Sequence, residues 1–157
     1  MLQERLEMQS NDFQVKRRHL PHWTFTGAVY FVTFKLKKGQ LSVQEQKLVL
    51  EHVRGGDKKY YELIAAVVMP DHVHILLKPN EGQILSGIMK GIKGVAARKI
   101  NAARGACGPV WQGESFDRIV RNEKEFNVKL RYMFYNPLKK GLTLDPWSYH
   151  GWYAAGK

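Results

Sequence analysis

Two apolar runs broken by one tight turn constrain this chain more than any other feature in it. Ala65-Ala66-Val67-Val68-Met69 leads into Pro70-Asp71, and His72-Val73-His74-Ile75-Leu76-Leu77 leads out. Proline fixes φ and aspartate bonds its own backbone, so the pair predicts a hairpin between strands at about 60–69 and 72–78. Side chains alternate faces along a strand. His72 and His74 therefore share one face, about 6.5 Å apart, while Val73, Ile75 and Leu77 enter a core on the other. Two imidazoles on one rigid strand can chelate a divalent metal when a third ligand arrives from elsewhere. The competing reading is two hydrogen-bonded, partly solvated histidines at a strand end.

The rest of the chain supplies partners for that hairpin. Residues 1–20 are polar, end in Lys16-Arg17-Arg18-His19, and read as a lead-in. From Gly27 to Leu36 the residues are β-branched and aromatic on both faces, which predicts a central strand. Ser42-Val43-Gln44-Glu45 is a capping box that opens a helix to about Val53, and Gly55-Gly56-Asp57 ends it. A second helix is expected from about Gln83 to Ala103, with Leu85, Ile88, Met89, Ile92, Ala96 and Ile100 as its core face. Its opposite face collects Gly87, Lys90, Gly91, Lys93, Gly94, Arg98 and Arg104. Each helical glycine costs about 1 kcal/mol relative to alanine, so something should approach that face closely. A phosphate backbone and another protein element are the two options.

After a loop at Gly105–Gly108, Val110–Gln112 and Phe116–Arg121 read as two short strands around Gly113-Glu114. Asn122-Glu123-Lys124-Glu125 caps a third helix of about 13 residues, expected to end at Asn136 because Pro137 disfavours helix before it. The tail, 142–157, carries Trp147, Tyr149, Trp152 and Tyr153, which would cover a sheet edge or stack bases. The order β-α-β-β-α-β-α predicts an α+β fold. It is a ferredoxin-like antiparallel sheet with two helices on one face and the last helix on the other. One domain over 1–157 is expected.

Charge narrows the function. There are 25 Lys+Arg against 14 Asp+Glu, a formal net charge of +11. That excess favours a polyanion, nucleic acid before a membrane surface. A single cysteine, Cys107, argues against a disulfide framework and a Cys-based zinc site. No apolar run approaches membrane-spanning length and no signal core is visible, so a cytoplasmic chain is expected.

The third helix offers the missing ligand. Tyr132 and Asn136 are four apart and lie one above the other beside the Phe126, Leu130, Met133 stripe. Laid on the free sheet face, this helix would bring the Asn136 carboxamide to His72 and His74 and set Tyr132 beside the metal. Such a mixed set suits Mg²⁺ or Mn²⁺, although imidazoles also accept Zn²⁺. A tyrosine beside a metal-bound phosphate is a candidate nucleophile. Its free pKa of about 10 calls for a nearby cation, and Lys129 on the same side is the candidate. The bland alternative makes Tyr132 an amphipathic residue at a helix–sheet boundary. Trp111, Phe116 and Tyr135 among basic residues would suit a single strand.

Val68-Met69-Pro70-Asp71-His72-Val73-His74-Ile75-Leu76 resembles the HUH motif of single-tyrosine transposases. Arg131-Tyr132-Met133-Phe134-Tyr135-Asn136-Pro137-Leu138-Lys139-Lys140-Gly141-Leu142 resembles their tyrosine helix. Leu20-Pro21-His22-Trp23, Tyr30-Phe31-Val32-Thr33-Phe34, Trp111-Gln112 and Phe116-Asp117-Arg118 are similar to segments of REP-associated tyrosine transposases, an insertion-sequence-200-like branch. The resemblance runs from about Arg18 to Trp147.

It implies a single-stranded DNA endonuclease and transesterase acting beside palindromic hairpins in DNA transposition. His72, His74 and Asn136 would hold Mg²⁺ or Mn²⁺, and Tyr132 would form a 5′-phosphotyrosine link. DNA contacts are expected from Arg18, Lys90, Lys93, Arg98, Trp111, Arg118, Arg121, Lys129, Arg131, Lys139 and Lys140. A monomer is expected, with a homodimer as the alternative. The competing function is a non-catalytic or domesticated DNA- or RNA-binding module on the same fold.

Overall fold

The computed structural model describes residues 27–156. The lead-in, Arg18 and Leu20–Trp23 lie outside the described residues. Five strands, β1 Val29–Leu36, β2 Tyr61–Val68, β3 His72–Pro79, β4 Trp111–Val120 and β5 Trp152–Ala154, form one antiparallel sheet in the order β4-β1-β3-β2-β5. Helices α1 Val43–Gly55 and α2 Leu85–Arg104 cover one face, and α3 Glu123–Lys139 covers the other. This is the predicted ferredoxin-like plan, extended by an edge strand from the tail. Among the described residues, no helix is long and apolar enough to cross a membrane.

The strand alternation sorts side chains into two cores. Val32, Phe34, Val68, Val73, Ile75 and Leu77 meet Val49, Val53, Ile88, Ile92 and Ile100 of α1 and α2. Phe31, Val67, Leu76 and Val120 meet Phe126, Leu130, Met133 and Phe134 of α3. A β-bulge between Leu63 and Ala65 lets two consecutive residues, Ile64 and Ala65, face α3. The Ser42–Glu45 capping box forms at the start of α1 as its sequence predicts.

Three elements differ from the expectation. The two short strands around Gly113-Glu114 are one continuous β4. Its pairing with β1 is irregular between Phe34 and Leu36, which absorbs the glycine without ending the strand. Helix α3 runs through Pro137 to Lys139. Proline there removes one backbone bond in the final turn only. The Lys140 N–H reaches Asn136 O (3.1 Å), and Gly141, at φ +72°, donates to Leu138 O (3.0 Å) to close the end.

The third is β5, a strand the sequence reading did not foresee, although covering a sheet edge was one of the two roles expected of the tail. The tail pairs with β2 and covers its edge, which settles the role of Trp152 and Tyr149 as structural. The Tyr149 hydroxyl donates to Val68 O (2.9 Å), and Gln46 Nε2 donates to the same carbonyl (3.0 Å).

Candidate active site

The hairpin turn is fixed from outside. Leu36 N–H donates to Asp71 O (2.8 Å) and Leu41 N–H to Pro70 O, so the end of β1 and the loop before α1 hold the segment that presents the histidines. Val73 and Ile75 lock β3 into the α1/α2 core, which turns His72 and His74 toward α3. Their rings lie edge to face with centroids 4.7 Å apart.

Each histidine has its Nδ1 engaged. The Asp71 carboxylate accepts from His72 (2.7 Å), and Thr33 Oγ1 shares a 2.7 Å hydrogen bond with His74. With Nδ1 so committed, Nε2 is the nitrogen left to point into the site. Phe31 stacks on the His74 ring at 5.2 Å and 20°. Burial pushes the His74 imidazole down to about 3, helped by His72, Lys129 and Lys35. Its ring is therefore neutral at physiological pH, the protonation state a metal ligand needs.

Of the five buried polar side-chain atoms without a hydrogen-bond partner among the described residues, two belong to expected ligands: His74 Nε2 and the Asn136 amide nitrogen. Asn136 is 4 % exposed, on the turn of α3 after Tyr132. Buried polar groups are ordinarily paired, so these orphaned atoms mark a place where a ligand belongs. Two imidazoles with second hydrogen bonds and one carboxamide, whose oxygen and nitrogen ends are interchangeable by a flip, fit a divalent cation. Tyr132, at the helix surface, sits edge-on to His74 with centroids 5.4 Å apart. The predicted gathering of His72, His74 and Tyr132 on one face is present. Lys129 lies alongside, its ammonium 4.8 Å above the Phe31 ring.

The candidate DNA contacts divide. Arg118 pairs across from Phe31 and alternates with buried Val120, so it belongs to the histidine face. Arg121, Arg131, Lys139 and Lys140 are exposed before, along and after α3. Lys90 and Arg98 are exposed on α2, across the sheet from the histidines. Beside Lys90, Gly87 and Gly91 have open space where a Cβ would be, although His52 of α1 reaches the Gly91 backbone.

Trp111, expected as a DNA contact, is buried beneath α2. Its indole donates to Lys93 O (3.1 Å), and its ring meets Phe34 edge-on, because an aromatic at the start of β4 falls on the α2 core. Lys93 is committed as well. Its ammonium donates to Gln112 O and Ser115 Oγ, both at 3.0 Å, and ties α2 to β4. Tyr135 is buried against Phe134, which leaves Phe116 alone of the three proposed stacking rings in solvent. Arg104 forks onto the Glu45 carboxylate instead of standing on the basic face.

Thr33 and Lys35 escaped the sequence reading. Both oppose the histidines across β1/β3, Thr33 against His74 and Lys35 against His72. Only the register between strands forty residues apart reveals them, although their alternation with Phe34 was visible.

A family model described as IS200-like transposase matches residues 32–128. A REP-associated tyrosine transposase of Escherichia coli K12 is 27% identical over 121 residues, covering 73% of this chain and 69% of that protein. A Haemophilus influenzae protein assigned by name to the same group is 23% identical over 138 residues, 78% of each chain. A solved structure of a REP-associated tyrosine transposase bound to a REP hairpin shares the fold. Its TM-score is 0.65, at 24% identity, over 84% of this chain and 79% of that one.

Proposed function

Because this chain belongs to the IS200-like transposases, we propose that it cuts and rejoins single-stranded DNA beside REP-like hairpins, with Tyr132 as nucleophile. The observation that carries this reading is the meeting of Tyr132, His74 and His72 on one face, with His74 Nε2 buried and unpartnered. The two relatives named as REP-associated transposases, and the solved structure holding a REP hairpin, support the choice of DNA.

His72, His74 and Asn136 would hold Mg²⁺ or Mn²⁺, which when bound draws electron density from the scissile phosphate and screens its charge. Asp71 and Thr33 fix the two imidazoles in the orientation that turns Nε2 toward it. The Tyr132 hydroxyl oxygen attacks phosphorus. The P–O3′ bond breaks, and the 5′ phosphate of the segment downstream of the cut is left as a phosphotyrosine ester, while the upstream segment leaves with its 3′ oxygen. The proton lost by the tyrosine is balanced by the one gained at the released 3′-hydroxyl. One phosphodiester is exchanged for another, so the link retains the energy for rejoining. Lys129, one turn before Tyr132, supplies positive charge where the phenolate develops.

The test is a denaturing gel. The protein is mixed with labelled hairpin DNA from repeats flanking its own gene, in Mg²⁺ or Mn²⁺. A protein–DNA band is expected that vanishes with Tyr132→Phe and with chelator, while Tyr132→Phe still binds the DNA. An adduct formed by Tyr132→Phe removes the nucleophile assignment, and binding without any adduct favours a non-catalytic binding module.

A further inference from the structure

The histidine face continues sideways beyond the proposed metal ligands onto the edge strand. Thr33, whose hydroxyl bonds His74, stands opposite Phe116 of β4. Phe116 is thus two strand spacings, about 10 Å, from the β3 backbone that carries the histidines. Phe116 and Arg118 alternate with Val120, whose side chain is in the α3 core, so all three face the side of the sheet that Tyr132 overhangs.

Phe116 is 55 % exposed. An aromatic ring in solvent, two strands from the histidines, has no packing role among the described residues to explain it. The Lys35 ammonium lies over the ring at 5.7 Å from its centroid, within cation–π range. Lys35 itself opposes His72 on β3. Arg118 stands opposite Phe31, and the Lys129 ammonium lies over Phe31 from the helix side. The exposed ring therefore has Lys35 over it and Arg118 two residues along the same strand face, with Lys129 beyond it over Phe31, and all these residues share the face that holds the tyrosine. Single-stranded nucleic acid is bound by this combination, with bases stacking on rings and phosphates passing between cations.

We propose that Phe116, flanked by Lys35 and Arg118, is the platform on which a base next to the scissile phosphate stacks. The platform sets where along the strand Tyr132 cuts. A base held there fixes the distance from that nucleotide to the tyrosine, so the subsite acts on position as well as affinity. Its occupant is single-stranded DNA, favoured over a second copy of the chain by the flanking Lys35 and Arg118. The inference rests on the reading of the site as a DNA-cleaving centre.

The test uses the full chain carrying Tyr132→Phe, so that binding is read without turnover. The probe is a fluorescently labelled hairpin with a single-stranded 5′ extension, and each extension base is replaced in turn by an abasic site. Adding Phe116→Ala is expected to weaken binding by about 5- to 150-fold. Phe116→Trp should keep or tighten it, and Phe116→Leu should behave like the alanine variant. One abasic position should cost the ring-bearing protein that same factor and cost the Phe116→Ala protein nothing further. In the Tyr132 protein, Phe116→Ala should also spread the cut over neighbouring phosphates.

Equal affinity with and without the ring, or abasic penalties that add to Phe116→Ala at every position, overturns the proposal. So does a variant that changes only the mass in solution, which would make the ring a contact between copies. Failure of the cleaving reading is separate, because it appears as the absence of any adduct in the protein with Tyr132 and Phe116 intact.

Discussion

At the residue scale, the histidines owe their usefulness to what holds them. His74 would be an ordinary core imidazole without Thr33, whose hydroxyl takes Nδ1 and leaves Nε2 without a partner. Thr33→Val keeps the shape and removes the hydroxyl. Outer-shell partners of this kind are worth 10- to 100-fold in metal affinity, so a loss of about that size is expected. Titration of Mn²⁺ by calorimetry reads it directly, and an unchanged affinity would exclude Thr33 as the orienting group. His72→Ala and His74→Ala should each lower Mn²⁺ binding further, since each removes a proposed ligand outright. The unfolding midpoint serves as the control in all three cases. Loss of fold would show as a lowered midpoint, loss of a ligand as weaker binding at an unchanged one.

At the element scale, Glu45 joins two helices. Its carboxylate caps the start of α1 by accepting from the Ser42 N–H (2.8 Å) and takes the Arg104 guanidinium from the end of α2. The side-chain bond to Arg104 is the largest influence and holds the Glu45 carboxyl below the ordinary carboxylate range. A carboxyl with a lowered pKa in the folded chain adds stability at neutral pH. That stability is lost as pH falls past the ordinary carboxylate value and through the lowered one. Thermal midpoints of the wild type and Arg104→Met should therefore differ at pH 7 and converge as the pH drops through that range. A gap that stays constant in acid would show that the arginine acts through its packing alone. The ion pair also joins the α1/α2 layer at one end, the layer against which β3 packs Val73 and Ile75.

At the scale of the whole molecule, the two sides of the sheet have separate duties. α1 and α2 anchor the hairpin, while α3 brings Tyr132 beside His74. The tail couples the two. Trp152 pairs with Val67 on β2 and packs on Phe134 of α3 (5.3 Å), which also meets Trp147 (4.6 Å). Trp152→Ala should lower the free energy of unfolding by about 3–5 kcal/mol, measured in urea. A loss below about 1 kcal/mol would show that the sheet holds α3 unaided. The same tail hides the β2 edge, so that among the described residues the sheet ends in the three-residue β5 on one side and in β4, with exposed Phe116, on the other.

Whatever depends on short repeats along the chain is legible in the residues alone. Period two put His72 and His74 on one face, period 3.6 aligned Tyr132 with Asn136, and local chemistry marked the Pro70-Asp71 turn and the Ser42 cap. Element order then constrained the sheet to the observed β4-β1-β3-β2 arrangement. Only the tertiary structure decided which amphipathic side chains are inside. Trp111 and Tyr135 look like Phe116 in sequence, but two are buried and one is in solvent, because burial depends on which element lies above each strand. Thr33 and Lys35 became neighbours of the histidines through a register that no window of the chain contains. Alternation tells a side chain which face it takes. The pairing of distant strands tells it whom it meets there.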